Sequence, residues 1–139
     1  FDPLLHASFT GHSRVVEVLL DRRACIEVRD EAQMTALHHA VHRGHASVAT
    51  LLLKARADVA AVNCSGGSPL HLAAMAYEDV EDPSGGFRSA PDANLNVVNI
   101  LLEAAADVCA TDSMGLVPVQ YAANRGHEEV ARVLRQAAH

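Results

Sequence analysis

Val15, Val18 and Leu19 stand three and four residues apart, a spacing that brings side chains to one face of an α-helix. The same triplet returns as Val48, Leu51 and Leu52, as Val97, Ile100 and Leu101, and as Val130, Val133 and Leu134. A second, shorter helix is predicted ahead of each triplet. Asp2-Pro3 and Ser68-Pro69 each read as an N-cap followed by proline at the first helical position, where a missing N–H costs nothing. Gly11, Gly44 and Gly126 follow eight to ten residues later, suited to the left-handed conformation that ends a helix. That leaves about two and a half turns for the first helix of each unit. Turn segments opening at Asp30, Asn63 and Asp112 separate the units. Neither helix of a unit can bury its apolar face alone, so the units must stack.

The recurrence has a fixed period. Gly11-His12 returns 33 residues later as Gly44-His45, and Thr35-Ala36-Leu37-His38 returns at the same shift as Ser68-Pro69-Leu70-His71. Val117-Pro118-Val119-Gln120 lies 49 residues beyond that, so the third unit carries an insertion of 16. Asp2-Pro3-Leu4-Leu5 is the most eroded copy. The units are expected to run approximately over 1–29, 30–62, 63–111 and 112–139, within one domain of 1–139.

This pattern resembles the ankyrin repeat, most closely through Asn63, Gly66, Ser68, Pro69, Leu70, His71, Ala73 and Ala74. The later half of that repeat is matched by Val97, Val98, Leu101, Leu102, Ala106, Asp107 and Val108. The resemblance covers nearly the whole chain outside the insertion. It implies an all-α solenoid of stacked helix-turn-helix units joined by hairpin-like turns. It also implies an intracellular interaction module, cytoplasmic or nuclear, that binds another protein or peptide and is not an enzyme.

Departures from the pattern carry their own expectations. The glycine that normally follows the second helix is Arg23, Arg56 and Ala105 here, and a left-handed conformation at each would cost on the order of 1 kcal/mol. The hairpin asparagine is Glu27, Ala60 and Cys109, so modification of an asparagine there is not expected. Arg135 and Gln136 stand where the last unit would carry an outward leucine, as in a C-terminal capping repeat. The first unit lacks its leading turn, so the chain is expected to belong to a longer protein or to follow further repeats, with additional domains possible.

Composition narrows the alternatives. Eleven basic against 17 acidic residues give a net charge of −6, which disfavours nucleic-acid binding through a basic face. No apolar run approaches the ~18 residues of a membrane span, and no signal peptide is recognisable. Cys25, Cys64 and Cys109 are widely spaced, without a C-x-x-C pair, and are expected to be buried or half-buried reduced thiols. Asn63-Cys64-Ser65 matches a glycosylation sequon by chance in a chain without a secretory signal.

His38, His39, His42 and His45 cluster in sequence, and His38 and His42 would share a helical face. Yet His38 and His45 sit in the repeated motif, where the resemblance makes histidines structural, and no acid or thiol lies close enough to complete a ligand set. No metal, no cofactor and no catalytic residues are expected. The resemblance instead points to the turn tips and the exposed side of the first helices as a partner-binding strip. Phe9 and Thr10 come from the first unit, and Arg29, Glu31, Met34, His42 and Arg43 from the second. Met75 comes from the third, and Ser113, Met114, Leu116, Asn124 and Arg125 from the fourth. Phe9, Met34, Met75, Met114 and Leu116 are apolar where a purely solvated face would favour charge, and methionine-rich surfaces adapt to varied partners.

The insertion spans roughly 77–93. Its five acids, Glu78, Asp79, Glu81, Asp82 and Asp92, face Arg88 alone, so it holds −4 of the net charge. Residues Ala73 to Asp82 are expected to extend the helix before it, with Asp92 or Asn94 capping the helix after it. A contact for a basic partner is the sharper reading of this loop, and a tolerated surface insertion the plainer one. An alternative for the whole array is a regulatory or targeting segment of a larger enzyme acting in cis.

Overall fold

A computed structural model describes residues 2–75, 80–81, 87–88, 91–124 and 127–138. The chain forms four consecutive helix pairs: α1 (Pro3–Thr10) with α2 (Ser13–Asp21), α3 (Ala36–His42) with α4 (Ala46–Lys54), α5 (Pro69–Met75) with α6 (Pro91–Glu103), and α7 (Pro118–Asn124) with α8 (Glu128–Ala137). The first helices pack side by side in the order α1, α3, α5, α7, and the second helices form a parallel row, α2, α4, α6, α8. This is the predicted solenoid.

The motif at the start of each first helix is a cap. Asp2 accepts from the Leu4 amide at 2.8 Å, leaving Pro3 at a position that needs no donor. Thr35 and His38 form a reciprocal capping box: the Thr35 hydroxyl accepts from the His38 amide, and His38 Nδ1 accepts from the Thr35 amide at 3.1 Å. Ser68 and His71 repeat that geometry. In the fourth pair Gln120 Oε1 takes over from the imidazole, accepting from the Val117 amide at 2.8 Å. Leu5 holds the corresponding position in the first pair and is buried.

Gly11 and Gly44 have φ of +83° and +73°, as their helix-ending role requires, while Gly126 lies outside the described residues. Gly11 is doubly constrained. A Cβ there would stand 2.7 Å from the ring of His45, whose Nε2 donates to the Phe9 carbonyl at 3.0 Å. The repeated Gly-His thus joins one helix pair to the next.

Between the rows lies an aliphatic core. Ala7, Ala40, Ala73 and Ala122 are all buried at one register position of the first helices, where small side chains let those helices approach closely. Leu52, Leu101 and Leu134 fill the corresponding places in the outer row. Across the insertion, Val80–Glu81 (β1) and Phe87–Arg88 (β2) pair antiparallel, with Val80 opposite Arg88. This corrects the expected helical extension through Asp82, because the backbone groups at Val80 and Glu81 bond across a ladder instead of along a helix. The next helix also begins at Pro91, so Asp92 and Asn94 lie inside it instead of capping it. Proline accounts for that start, since it needs no N–H in the first turn.

Candidate functional site: the finger row and inner-helix face

Each turn between helix pairs is a tight finger tied by one side chain. Asp30 Oδ1 accepts from the amides of Ala32 and Met34, both at 2.9 Å. Asn63 Oδ1 accepts from Ser65 and Gly67, and Asp112 Oδ1 from Met114 and Leu116, in the same i+2, i+4 pattern. Main-chain bonds close each finger, as from Asp30 N to Met34 O. Adjacent fingers are linked by Cys64 N donating to Ala32 O and by Ser113 N donating to Ser65 O, each at 3.0 Å. The Arg29 guanidinium also reaches across to the Val62 carbonyl at 2.7 Å. The tips therefore form a continuous ordered row.

The remaining oxygen of each aspartate holds its finger to the inner helix. Asp30 Oδ2 meets His39 Nε2 at 2.8 Å, and Asp112 Oδ2 accepts from the Tyr121 hydroxyl. Partial burial works against ionisation of Asp30, but the Met34 amide and His39 outweigh it and hold the carboxyl below its ordinary range. The Tyr121 hydroxyl does the same for Asp112, with the Leu116 amide second, and the Tyr121 phenol is pushed up in turn. The third repeat has Asn63 and Leu72 at these positions. His38 and His71 supply the other cross-links, donating from Nε2 to the carbonyls of Gly67 at 3.1 Å and Leu116 at 2.9 Å. Burial pushes the His38 imidazole down to about 4, opposed by the Gly67 carbonyl, so it is neutral at physiological pH. With both ring nitrogens engaged, His38 has no lone pair for a metal.

On this scaffold the proposed strip divides. Phe9 is 39% exposed on the inner helix, with the Arg43 guanidinium 4.6 Å above its ring and His39 edge-on at 5.8 Å. Thr10 is exposed, its hydroxyl bonded to the His6 carbonyl at 2.9 Å. Arg29, Glu31, His42, Ser113 and Asn124 are exposed, and Ser113 Oγ donates to the Ser65 carbonyl at 2.7 Å. Met114, at 78% exposure, is the most open large apolar side chain among the described residues. Met34, Met75 and Leu116 are half-buried instead, and the two methionines pack on the core. Met34 is also the acceptor for Asn63 Nδ2. Arg125 lies outside the described residues.

Two features of this face were missed from the sequence. Val62 is 47% exposed beside the fingers, at the register position that is Arg29 one unit earlier and Thr111 one unit later. Gln33 has φ of +62°, and aligning it with Gly66 and Gly115 would have shown the strain. The cysteines need correction as well. Cys25, Cys64 and Cys109 are all free and exposed, because they lie in turns between helices and not on packed helix faces. Among the described residues no three His, Cys, Asp or Glu side chains converge as metal ligands, and no helix is long and apolar enough to cross a membrane.

A family model for ankyrin repeats, described as three copies, matches residues 4–81, and the chain belongs to that family. Among curated proteins it is similar to the probable E3 ubiquitin-protein ligase XBOS33 of Oryza sativa subsp. japonica, with 40% identity over 73 residues. That alignment covers 52% of this chain and 14% of the relative. Human ankyrin repeat domain-containing protein 63 is 38% identical over 73 residues, covering 52% of the chain and 18% of the relative. A second rice protein, the probable E3 ubiquitin-protein ligase XBOS32, is 36% identical over 74 residues, 15% of its length. The chain thus matches a small part of each relative. Ankyrin repeats in general mediate protein–protein interaction.

Proposed function

We propose that this chain is a protein-interaction array whose partner lies across the finger tips and the exposed side of the inner helices. The observation that carries this reading is the separation of duties on that face. The motif Asp, Asn, His and Gln side chains are consumed in holding the fingers, while Phe9, Arg43 and Met114 stand on a preorganised surface without being needed by the core. Preorganisation limits the ordering entropy lost on binding. Arg43 over Phe9 supplies a cation beside an aromatic ring, and arginine is enriched at interface hot spots.

The test compares the intact chain with Arg43→Glu and Met114→Glu variants in affinity capture followed by direct titration of each captured protein. Half-buried Met34 and Met75 are left alone, since charge there would damage the core. At least a tenfold loss of affinity is expected with unchanged helicity and melting. Full affinity in both variants would move the binding site elsewhere.

A second reading is favoured by the names of the rice relatives. An array that matches 14–15% of two probable ubiquitin ligases fits a substrate-recruiting or regulatory segment of a larger enzyme. The same face would then hold the enzyme's substrate or another part of its own chain. Titration with and without the remaining segments of the full-length protein separates the two cases.

A further inference from the structure

Arg43 ends α3, in a unit that has a helix pair on either side of it. Its backbone N–H is spent on the helix end, bonding to the His39 and Val41 carbonyls, while its side chain is exposed. The guanidinium lies 4.6 Å from the centre of the Phe9 ring. A ring engages the flat face of a guanidinium, and the N–H donors point outward in the plane. Among the described residues no carboxylate pairs with Arg43.

The neighbouring acids are already satisfied. Asp30 gives Oδ1 to the Ala32 and Met34 amides and Oδ2 to His39. Asp112 gives Oδ1 to Met114 and Leu116 and Oδ2 to Tyr121. Arg29 is committed as well, since its Nη1 donates to the Val62 carbonyl at 2.7 Å. Arg43 is left with an open donor edge.

The ring beneath it is fixed in place. His39, held by Asp30 at 2.8 Å, meets Phe9 edge-on at 5.8 Å. His45 Nε2 holds the Phe9 carbonyl at 3.0 Å. Asp30, His39, Phe9 and Arg43 thus form a ladder from the first finger to the end of α3. Its openness belongs to the inner face and not to one end of the stack, because His42 and Asn124, at the register of Phe9 in later units, are exposed too.

We propose that Arg43, backed by Phe9, is an anchor for a carboxylate, and that the partner presents an extended acidic segment whose Asp or Glu side chain seats on the guanidinium edge. The proposal rests on the concave-face reading and specifies the chemistry of the partner. A guanidinium fork matches the two oxygens of a carboxylate. Phosphorylated motifs are instead met by clusters of arginine, and here a single guanidinium is open. Met114, 78% exposed on the finger leading into α7, supplies the apolar complement. In the inner row α7 lies two helix spacings of about 8–10 Å each from α3. An extended chain covers that span in about five or six residues. The segment therefore carries an acid and a large apolar residue about that far apart.

The test selects random displayed peptides of about twelve residues on the 139-residue chain and on its Arg43→Glu variant. Peptides taken by the parent chain are expected to carry Asp or Glu at one fixed position, and those taken by Arg43→Glu to carry Lys or Arg there. The best peptide is then synthesised and titrated. Changing its acid to the amide, or Arg43 to Gln, should each weaken binding at least tenfold, and both together no further than either alone. Phe9→Leu should weaken it severalfold, with helicity unchanged by circular dichroism. An empty selection, peptides without a fixed acid, or an acid whose removal costs as much in Arg43→Gln as in the parent overturns the proposal. So does a phosphoserine peptide that binds more tightly than its glutamate counterpart, which would assign the anchor to phosphate. Peptides that lack the acid yet are lost in Met114→Glu leave the concave-face reading standing. Peptides that bind fully to both Arg43→Glu and Met114→Glu remove that reading as well.

Discussion

Arg23, Arg56 and Ala105 have φ of +60°, +70° and +65°, each just after an outer helix. The left-handed turn is imposed by the helix end itself. Ala24 N reaches back to Leu19 O, Ala57 N to Leu52 O and Ala106 N to Leu101 O, all near 3 Å, while the residues before them bond to Leu20, Leu53 and Leu102. This is a Schellman closure, which requires a left-handed residue at its centre. A side chain in that conformation costs about 1–2 kcal/mol, because its Cβ crowds the following carbonyl. Glycine removes that cost but adds about 0.5–1 kcal/mol of freedom to the unfolded chain. Glycine at each site is therefore expected to stabilise by about 0.5–1 kcal/mol, and the triple variant by about 1.5–3 kcal/mol if the separate helix ends contribute independently. For a chain of this size that corresponds to a rise of roughly 5–12 °C in Tm. All three side chains are exposed, so little packing is lost. The control is Ala55→Gly, one residue before Arg56, where φ is −83° and the side chain is also exposed. It should destabilise by about 0.5–1 kcal/mol. Urea unfolding followed by circular dichroism gives both signs in one assay. A triple variant no more stable than the parent, at an unchanged m-value, would refute the reasoning.

Three further outcomes follow from particular contacts. His38 titrates near 4 in the folded chain and near 6.5 unfolded, so its contribution is complete above pH 6.5 and lost as pH falls toward 4, by up to about 3 kcal/mol. His38→Gln, which copies the Gln120 cap, should flatten the stability profile in that window; an unaltered slope assigns it to other groups. Asp30 and Asp112 act in the same direction but at lower pH, because carboxyls held below their ordinary range lose their contribution only in stronger acid. Ser8 Oγ is buried with no hydrogen-bond partner among the described groups, so Ser8→Ala should raise stability by about 1 kcal/mol in chemical denaturation. A loss of that size would mean that the hydroxyl is satisfied. Gly66 and Gly115 share φ near +75°, but a Cβ at Gly66 would stand 2.8 Å from Ser113 N and one at Gly115 meets nothing within 4 Å. Gly66→Ala should thus cost more than Gly115→Ala, with the latter confined to the left-handed cost of about 1–2 kcal/mol; equal costs would deny the tight approach of the fingers.

The helix pairs were legible because each unit repeats the same caps and apolar columns. Four copies average out the erosion in any one of them, as when Gln120 replaces histidine or Leu5 replaces the cap partner altogether. The left-handed sites after the outer helices were legible for the same reason. The insertion was not, since it occurs once and has no second copy to set its register. Burial within the proposed strip was also poorly readable. Met34, Met75 and Met114 look alike in sequence, but Met34 and Met75 pack on the core while Met114 tips the last finger, and residue type does not encode which neighbour covers a side chain. Cys64 failed for the related reason that a buried preference yields to a turn position fixed by Asn63.

What a partner can read on this array is set by what the scaffold leaves over. The Asp30–His39 and Asp112–Tyr121 pairs hold their fingers through a carboxylate–imidazole hydrogen bond in one repeat and a phenol–carboxylate bond in another, while the third repeat has Asn63 and Leu72 there. The fingers nonetheless remain in register, through Cys64 N to Ala32 O and Ser113 N to Ser65 O. Finger position is therefore over-determined, and the chemistry of the tether can drift without displacing the tips. Substitutions at the tips have the converse property. Met114 and Glu31 bear on none of those bonds through their side chains, so changing them alters the surface while keeping the geometry. A fold that fixes its backbone through motif residues and leaves the tip side chains free can change partners by point substitution. That division of labour is the physical reason to look for specificity at Phe9, Arg43 and Met114 before the repeated histidines.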